Sequence, residues 1–204
     1  MEIDGFVLAG GSSSRLGVPK AHVLIGDVSM LDRAVLALRS VCGSVRVAGD
    51  LGGVTGLEFV PDEPIDIDGQ RIAASIIGLR TAISSAKTDW VAVLACDLPF
   101  VTGGVFERML HRLTEAGPDR YDVIVIKQAD GRFQPLVGIY RTQPSLQAIV
   151  DAIHGGELSL HSLLDRLRIL ALPAAVFGND TPRIFMNINT AADLDRARLA
   201  LLSG

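Results

Sequence analysis

Ile3-Asp4-Gly5-Phe6-Val7-Leu8-Ala9-Gly10-Gly11-Ser12-Ser13-Ser14-Arg15-Leu16-Gly17-Val18-Pro19-Lys20 runs from an apolar stretch through a pair of glycines into a basic segment. Residues 3–9 predict a strand. Two glycines at its C-terminal end let backbone N–H groups come close to a ligand, and a run of such groups cradles an anion. Arg15 and Lys20 add two positive charges with no acid between them, so a phosphate-bearing ligand is the natural guest. Two familiar phosphate motifs do not fit. A Walker A loop needs Gly-Lys followed by Ser or Thr, but Val18 and Pro19 separate Gly17 from Lys20; a dinucleotide fingerprint needs G-x-G-x-x-G, but Gly10 and Gly11 are adjacent.

Working outward, residues 45–48, 57–60, 90–95 and 121–126 predict further strands. They are short and alternate poorly, as suits strands of a parallel sheet covered on both faces. Helical spacing over residues 30–41, 71–86 and 102–116 falls between them, with Met30, Ala34, Leu38 and Val41 on one stripe. This alternation predicts an open α/β sheet with right-handed crossovers. After Lys127, residues 128–132 read as a turn and 133–141 as a longer strand returning beside the parallel set, which makes the expected sheet mixed. Residues 144–153, 158–168 and 190–202 read as helices, the last with Thr190 as N-cap and Asp193 completing an approximate capping box. Residues 62–70, acidic and broken by Pro64 and Gly69, form the stretch expected to be most flexible.

The 204 residues fit one domain, expected to span 1–204, with no internal repeat, charge block or long linker. A hydrophobic share of 49% against 21% charged residues argues against disorder. Apolar runs stay well below the roughly 18 residues of a membrane span, and Met1 to Asp4 carries no basic leader, so no membrane association is expected and the default compartment is the cytoplasm. With 19 basic and 23 acidic side chains, the net charge of -4 gives no electrostatic reason to bind nucleic acid. Cys42 and Cys96, both in apolar surroundings, suggest neither a disulfide framework nor a zinc site. The four histidines lack helical ligand spacing and read as surface or packing residues, and Trp90 reads as a core anchor.

Leu-Ala-Gly-Gly followed by Ser, Arg, Leu-Gly and Pro-Lys resembles the signature of Rossmann-like nucleotidyltransferases, in particular the molybdenum cofactor guanylyltransferase (MobA) family. Cys96-Asp97-Leu98-Pro99-Phe100, Phe133-Gln134-Pro135-Leu136-Val137, Gly156-Glu157-Leu158-Ser159-Leu160 and Asn187-Ile188-Asn189-Thr190 follow in family order. The resemblance implies a three-layer fold with a mostly parallel mixed sheet. It also implies a reaction in which a phosphate oxygen of molybdopterin attacks the α-phosphorus of GTP and pyrophosphate leaves. GTP is then expected over Leu8, Ala9, Gly10 and Gly11, with Lys20 on phosphate, Asp62 on the nucleotide, and Asn187 and Asn189 in the site. Arg15, Lys20 and Asp97 would be the catalytic residues. The acceptor would be molybdopterin or Mo-molybdopterin, with transient contacts to proteins that make or receive the cofactor.

Asp97 also has a reading of its own. A carboxylate just past an apolar strand stands at the edge where open α/β sheets bind ligands, and Mg²⁺ takes one or two carboxylates plus substrate phosphates. By itself Asp97 can equally cap the turn that follows it, but the resemblance favours metal binding there, with Mg²⁺ the expected cofactor; Asn189 can offer an amide oxygen to the same ion, or can equally be only the approach to the final helix. Asp62 can accept from guanine N–H groups or ribose hydroxyls, or serve as a turn residue. A phosphate nucleophile is already anionic, so the site needs positioning and charge neutralisation more than a general base. Three positions depart from the family pattern: Ala48 stands where relatives have Asn, residues 74–78 replace a Gly-Pro-Leu-Ala-Gly segment keeping only Gly78, and Leu158 replaces a basic residue. CMP transfer, a different phosphorylated acceptor, or nucleotide binding with little turnover are the competing readings.

Overall fold

Every residue of the first strand, Ile3–Leu8, is buried. Alternate residues face opposite ways: Ile3 and Val7 enter one apolar layer, while Phe6 and Leu8 enter the other. Trp90, Ala92 and Leu94 of a second strand face the first layer, and Val91 and Val93 the second. A strand with helices on both faces has no solvent side to mark with polar residues, which explains the near-continuous apolar runs.

The computed structural model describes residues 1–10, 19–49, 56–67, 70–72 and 74–202. In chain order the elements are β1 (Ile3–Leu8), β2 (Leu24–Ile25), β3 (Val28–Ser29), α1 (Met30–Arg39), β4 (Ser44–Ala48), β5 (Phe59–Val60), β6 (Ile65–Ile67), β7 (Gln70–Ile72), α2 (Ser75–Ser84), β8 (Trp90–Ala95), α3 (Gly103–Ala116), β9 (Val123–Lys127), β10 (Phe133–Arg141), α4 (Thr142–His154), α5 (Leu160–Leu164), β11 (Ile169–Pro173), α6 (Thr181–Ile184) and α7 (Ala191–Leu202). Short 3-10 turns stand at Lys20–His22, Pro118–Arg120 and Ala174–Asp180.

Among the described residues the main sheet has seven strands in the order β11-β9-β10-β8-β1-β4-β5. β10 runs antiparallel to both its neighbours, and the other pairings are parallel. Helices α1 and α3 cover one face through Leu31, Leu38, Phe106 and Met109. Helices α2 and α4 cover the other through Ile76, Ile83, Ile149 and Ala152. The chain is therefore a single three-layer α/β domain with a mixed, mostly parallel sheet, as its sequence leads one to expect. A smaller cluster of Val23, Ile25, Met30, Phe100, Ile188 and Ala197 ties the segment after Lys20 to the C-terminal region.

At the edge opposite the candidate site, Asp4 and Arg46 form a buried ion pair at 3.0 Å across β1 and β4. Asp4 also accepts from Ser44 Oγ at 2.7 Å and from the Lys87 backbone N–H at 2.7 Å.

The elements differ from expectation in several places, among them the β2–β3 pair and the short α6, neither of which the sequence pattern shows. Helix α2 begins at Ser75 rather than residue 71, because Gln70–Ile72 pairs with Ile65–Ile67 as a hairpin. That hairpin also occupies part of the stretch expected to be flexible. Residues 158–168 hold only one short helix, Leu160–Leu164, before the chain turns toward β11. β11, Ile169–Pro173, is an edge strand paired in parallel with β9, the place in a sheet where a proline is tolerated.

Candidate active site

Lys20 is carried by a single 3-10 turn, anchored beneath by buried Ala21 and Val23. Pro19 supplies the turn's first accepting carbonyl, bonded by the His22 N–H at 3.0 Å, and the Lys20 carbonyl accepts from Val23 N–H at 3.1 Å. The lysine's backbone is thus fixed while its side chain reaches across the sheet edge.

Asp97 comes from the opposite direction. The β1–β8 ladder extends one residue past β8, with Cys96 N–H donating to the Leu8 carbonyl at 3.1 Å. The chain then turns, and the Asp97 carbonyl accepts from Ile188 N–H at 2.9 Å. That bond brings the Asn187 to Asn189 segment alongside. Asn189 is held in turn by Asp193, whose Oδ2 accepts from the Asn189 N–H at 3.0 Å and the Thr190 N–H at 2.9 Å. Asp193 N–H donates back to Thr190 Oγ1 at 3.2 Å, which completes the capping box at the start of α7.

These pieces place two oxygens around one ammonium group. Lys20 Nζ donates to Asn189 Oδ1 at 2.5 Å and lies 3.4 Å from Asp97 Oδ2. A carboxylate and an amide oxygen converging on one cation are part of the donor set of a hard divalent ion, which completes its shell with water and phosphate oxygens. Among the described residues no group of three or more His, Cys, Asp or Glu stands together, so an ion here would depend on such outside oxygens. Asp97 and Asn189 are the residues that could hold it.

On the β1–β4 side, Gly10 approaches Asp62 closely. A Cβ at Gly10 would lie 3.1 Å from Asp62 Oδ2, and one at Gly78 would lie 3.8 Å from the same oxygen. The carboxylate thus lies between two glycines, and among the described residues its buried Oδ1 has no hydrogen-bond partner. A buried acceptor left unpaired is costly, and a ligand N–H or O–H would satisfy it. Gly78, the one residue kept from the family's segment, is the one beside Asp62.

Gly49 closes the same corner. Its φ is +118°, and a Cβ there would meet Gly10 N at 2.6 Å. Ala48, one of the departures from the expected pattern, is fully buried. Its carbonyl accepts from Ala9 N–H at 2.9 Å, while Gly49 N–H donates to Val60 O at 3.2 Å. Those two backbone groups are engaged in the sheet edge.

On the β8–β10 side of Asp97 lies a cavity of about 320 Å³. Asn187 lines it with Gln134 and Leu136 of β10, Leu158, and His161 of α5. Leu158, replacing a basic residue, thus faces this cavity, and His161 is the basic side chain among its lining residues. Sequence spacing gave no signal for His161, because its neighbours in the cavity come from other elements.

Leu8, Ala9, Gly10, Lys20, Asp62, Asp97, Asn187 and Asn189 therefore all stand along one sheet edge. Gly11 and Arg15 lie outside the described residues. Cys96 is buried beside Asp97, and burial pushes its thiol up to about 12; Cys42, half-buried near Asp4, is raised likewise to about 12. Neither presents a thiolate nucleophile. Trp90 is buried in the core, as expected. No helix among the described residues is long and apolar enough to cross a membrane.

A model of the MobA-like NTP transferase domain matches residues 5–170. A molybdenum cofactor guanylyltransferase of Desulfosudis oleivorans is 26% identical over 99% of this chain and 97% of its own length. A probable molybdenum cofactor guanylyltransferase of Bacillus licheniformis is 30% identical over 93% of each chain. The crystal structure of molybdopterin-guanine dinucleotide biosynthesis protein A from Archaeoglobus fulgidus superposes with a TM-score of 0.77 at 23% identity, covering 98% of this chain and all of that one. With the glycine corner, Lys20 and Asp97 on the matched sheet edge, the chain belongs to the MobA-like NTP transferase family.

Proposed function

We propose that this chain transfers GMP from GTP to molybdopterin, forming molybdopterin guanine dinucleotide and releasing pyrophosphate. The observation that carries the reading is the position of Lys20 and Asp97, between the Gly10–Asp62 corner on one side and the cavity beside β10 on the other. Two substrates bound on the two sides would meet at Asp97. The likeness to the molybdenum cofactor guanylyltransferases of Desulfosudis oleivorans and Bacillus licheniformis supports the choice of substrates.

In this reading Asp62 accepts from the guanine or ribose of GTP, and the backbone of Leu8, Ala9 and Gly10 borders its phosphates. Lys20 leaves its contact with Asn189 to pair with phosphate oxygens, with Arg15 as a second cation on the strength of its place in the motif. The acceptor's phosphate oxygen forms a bond to the α-phosphorus, the bond from that phosphorus to the bridging oxygen breaks, and its electrons leave with pyrophosphate. No side chain needs to take a proton from a nucleophile that is already anionic; the residues align the reactants and offset their charge. Mg²⁺ held by Asp97 and Asn189 would supply further neutralisation of the charge gathering on the leaving group.

A second acceptor is favoured by one observation: Leu158 puts an apolar side chain where the family pattern has a cation. Pyrophosphate release from GTP, CTP, ATP and UTP, with and without Mg²⁺ and molybdopterin, tests both readings. Release only with GTP, Mg²⁺ and molybdopterin, abolished in Asp97→Ala, is the expected result. GTP binding without release in the presence of molybdopterin would overturn the proposed acceptor.

A further inference from the structure

β10 does not pair evenly with β9. Phe133 and Gln134 stand opposite Lys127 and Ile126, but the next residue of β9, Val125, stands opposite Gly138. Pro135, Leu136 and Val137 are thus extra on β10, and Pro135 and Leu136, with Gln134 before them, form the wall of the cavity beside Asp97. A bulge at a sheet edge re-aims side chains, but its backbone loses ladder partners and needs something else to fix it.

Tyr140 provides that contact. Its ring is fully buried, and its hydroxyl donates to the Pro135 carbonyl at 2.6 Å. Reaching back five residues requires the ring to lie over Gly138, where a Cβ would sit 2.7 Å from Tyr140 Cε2 and 3.1 Å from Val125 Cγ1. Glycine at 138, tyrosine at 140 and the carbonyl of 135 therefore form one device: the first leaves space, the second fills it, and the third is held.

We infer that Tyr140 is a positioning residue for the acceptor: its hydroxyl, through the Pro135 carbonyl, sets the cavity wall made by Gln134 and Leu136. The inference rests on the proposed two-substrate reading, and it places Tyr140 on the acceptor side only. The Gly10–Asp62 corner lies beyond β8 and β1 from the bulge and shares no residue with it.

Tyr140→Phe keeps the ring and removes the hydroxyl. The expected result is a rise of about five- to tenfold in the KM for molybdopterin, from a buried carbonyl left without its donor, with GTP affinity unchanged. Ile139→Val, a truncation on the opposite face of the same strand, controls for stability alone and is expected to leave the molybdopterin KM where it was. Equal shifts in both variants, or an unchanged molybdopterin KM in Tyr140→Phe, would overturn the inference. If the wild-type protein shows no turnover with GTP and molybdopterin, the functional reading fails by itself. Hydrogen exchange then decides the positioning role: faster exchange at the Gln134 and Leu136 amides in Tyr140→Phe than in Ile139→Val supports it, and equal exchange overturns it.

Discussion

Gly10 and Asp62 meet closely: a Cβ at position 10 would lie 3.1 Å from the carboxylate's Oδ2, so the side chain of Asp62 would have to give way by a few tenths of an ångström. The glycine pair in the sequence suggests backbone contact with an anion. The structure adds that Gly10 also makes room for an acidic side chain from beyond the neighbouring strand.

Gly10→Ala is expected to displace Asp62 and weaken GTP binding by about tenfold, the scale of an overpacked contact of 1–3 kcal/mol. Calorimetric titration with GTP measures it. Unchanged affinity would mean that Asp62 does not reach the nucleotide.

Asp62→Ala should separate binding from stability. Removing an acceptor whose Oδ1 is buried and unpaired is expected to leave Tm unchanged or slightly raised, while GTP affinity falls by about tenfold or more. A fall in Tm with intact GTP binding would instead identify Asp62 as a structural turn residue.

Asp97→Asn keeps the shape of the side chain and removes its charge. Pyrophosphate release is expected to drop by about 10²-fold or more. Stability should change by less than about 1 kcal/mol, because the Lys20 contact is long and partly exposed. Denaturant unfolding alongside the activity assay tests both parts, and a large stability loss would point to a structural role.

Asp193 carries a pH signature. Hydrogen bonds from Thr190 Oγ1, Arg196 and the Asn189 backbone hold its carboxyl down at about 2, against an ordinary 3.8. A carboxylate depressed in the folded state stabilises above its unfolded pKa and loses that contribution as pH falls through the folded one. The Tm gap between wild type and Asp193→Asn is therefore expected to be constant above about pH 5 and to close between about pH 4 and pH 2. A gap that stays constant down to pH 2 would contradict the bonding described for Asn189.

Asp4→Ala is expected to be costly far from the site. It removes the buried carboxylate of the pair and leaves Arg46 only the mostly exposed Glu58 at 3.8 Å, so the loss is expected to approach the about 3–5 kcal/mol typical of breaking a buried ion pair. Urea unfolding measures it, and a loss below about 1 kcal/mol would show that Arg46 finds another partner.

Much of this molecule is legible in its residues because the signals are local. The strand before Gly10, the strand before Asp97 and the Thr190–Asp193 cap each announce themselves within a few positions. Lys20 and Asn189 also stand out as polar groups in recognisable motifs, although their contact spans most of the chain. What sequence hides is tertiary. Ile65–Ile67 and Gln70–Ile72 are too short to outweigh the acidic and glycine residues around them, so their pairing is read as irregular chain. β11 ends at Pro173, which suits only an edge position that sequence cannot reveal. His161 enters the cavity, and Tyr140 folds over Gly138, through relationships with no fixed spacing.

The reversed direction of β10 has a consequence for redesign. A parallel strand reaches the ligand edge at its last residue and is soon committed to a helix, so changing its loop disturbs the helix as well. β10 reaches that edge at its beginning, from a hairpin turn closed by Gln128 N–H donating to Arg132 O at 2.8 Å. Changes of length before Pro135, which keep its spacing to Tyr140, can therefore resize one wall of the cavity with no helix to drag along, leaving β1, Lys20 and the Gly10–Asp62 corner in place. Acceptor size becomes a dimension that can be engineered, or can drift, independently of the nucleotide.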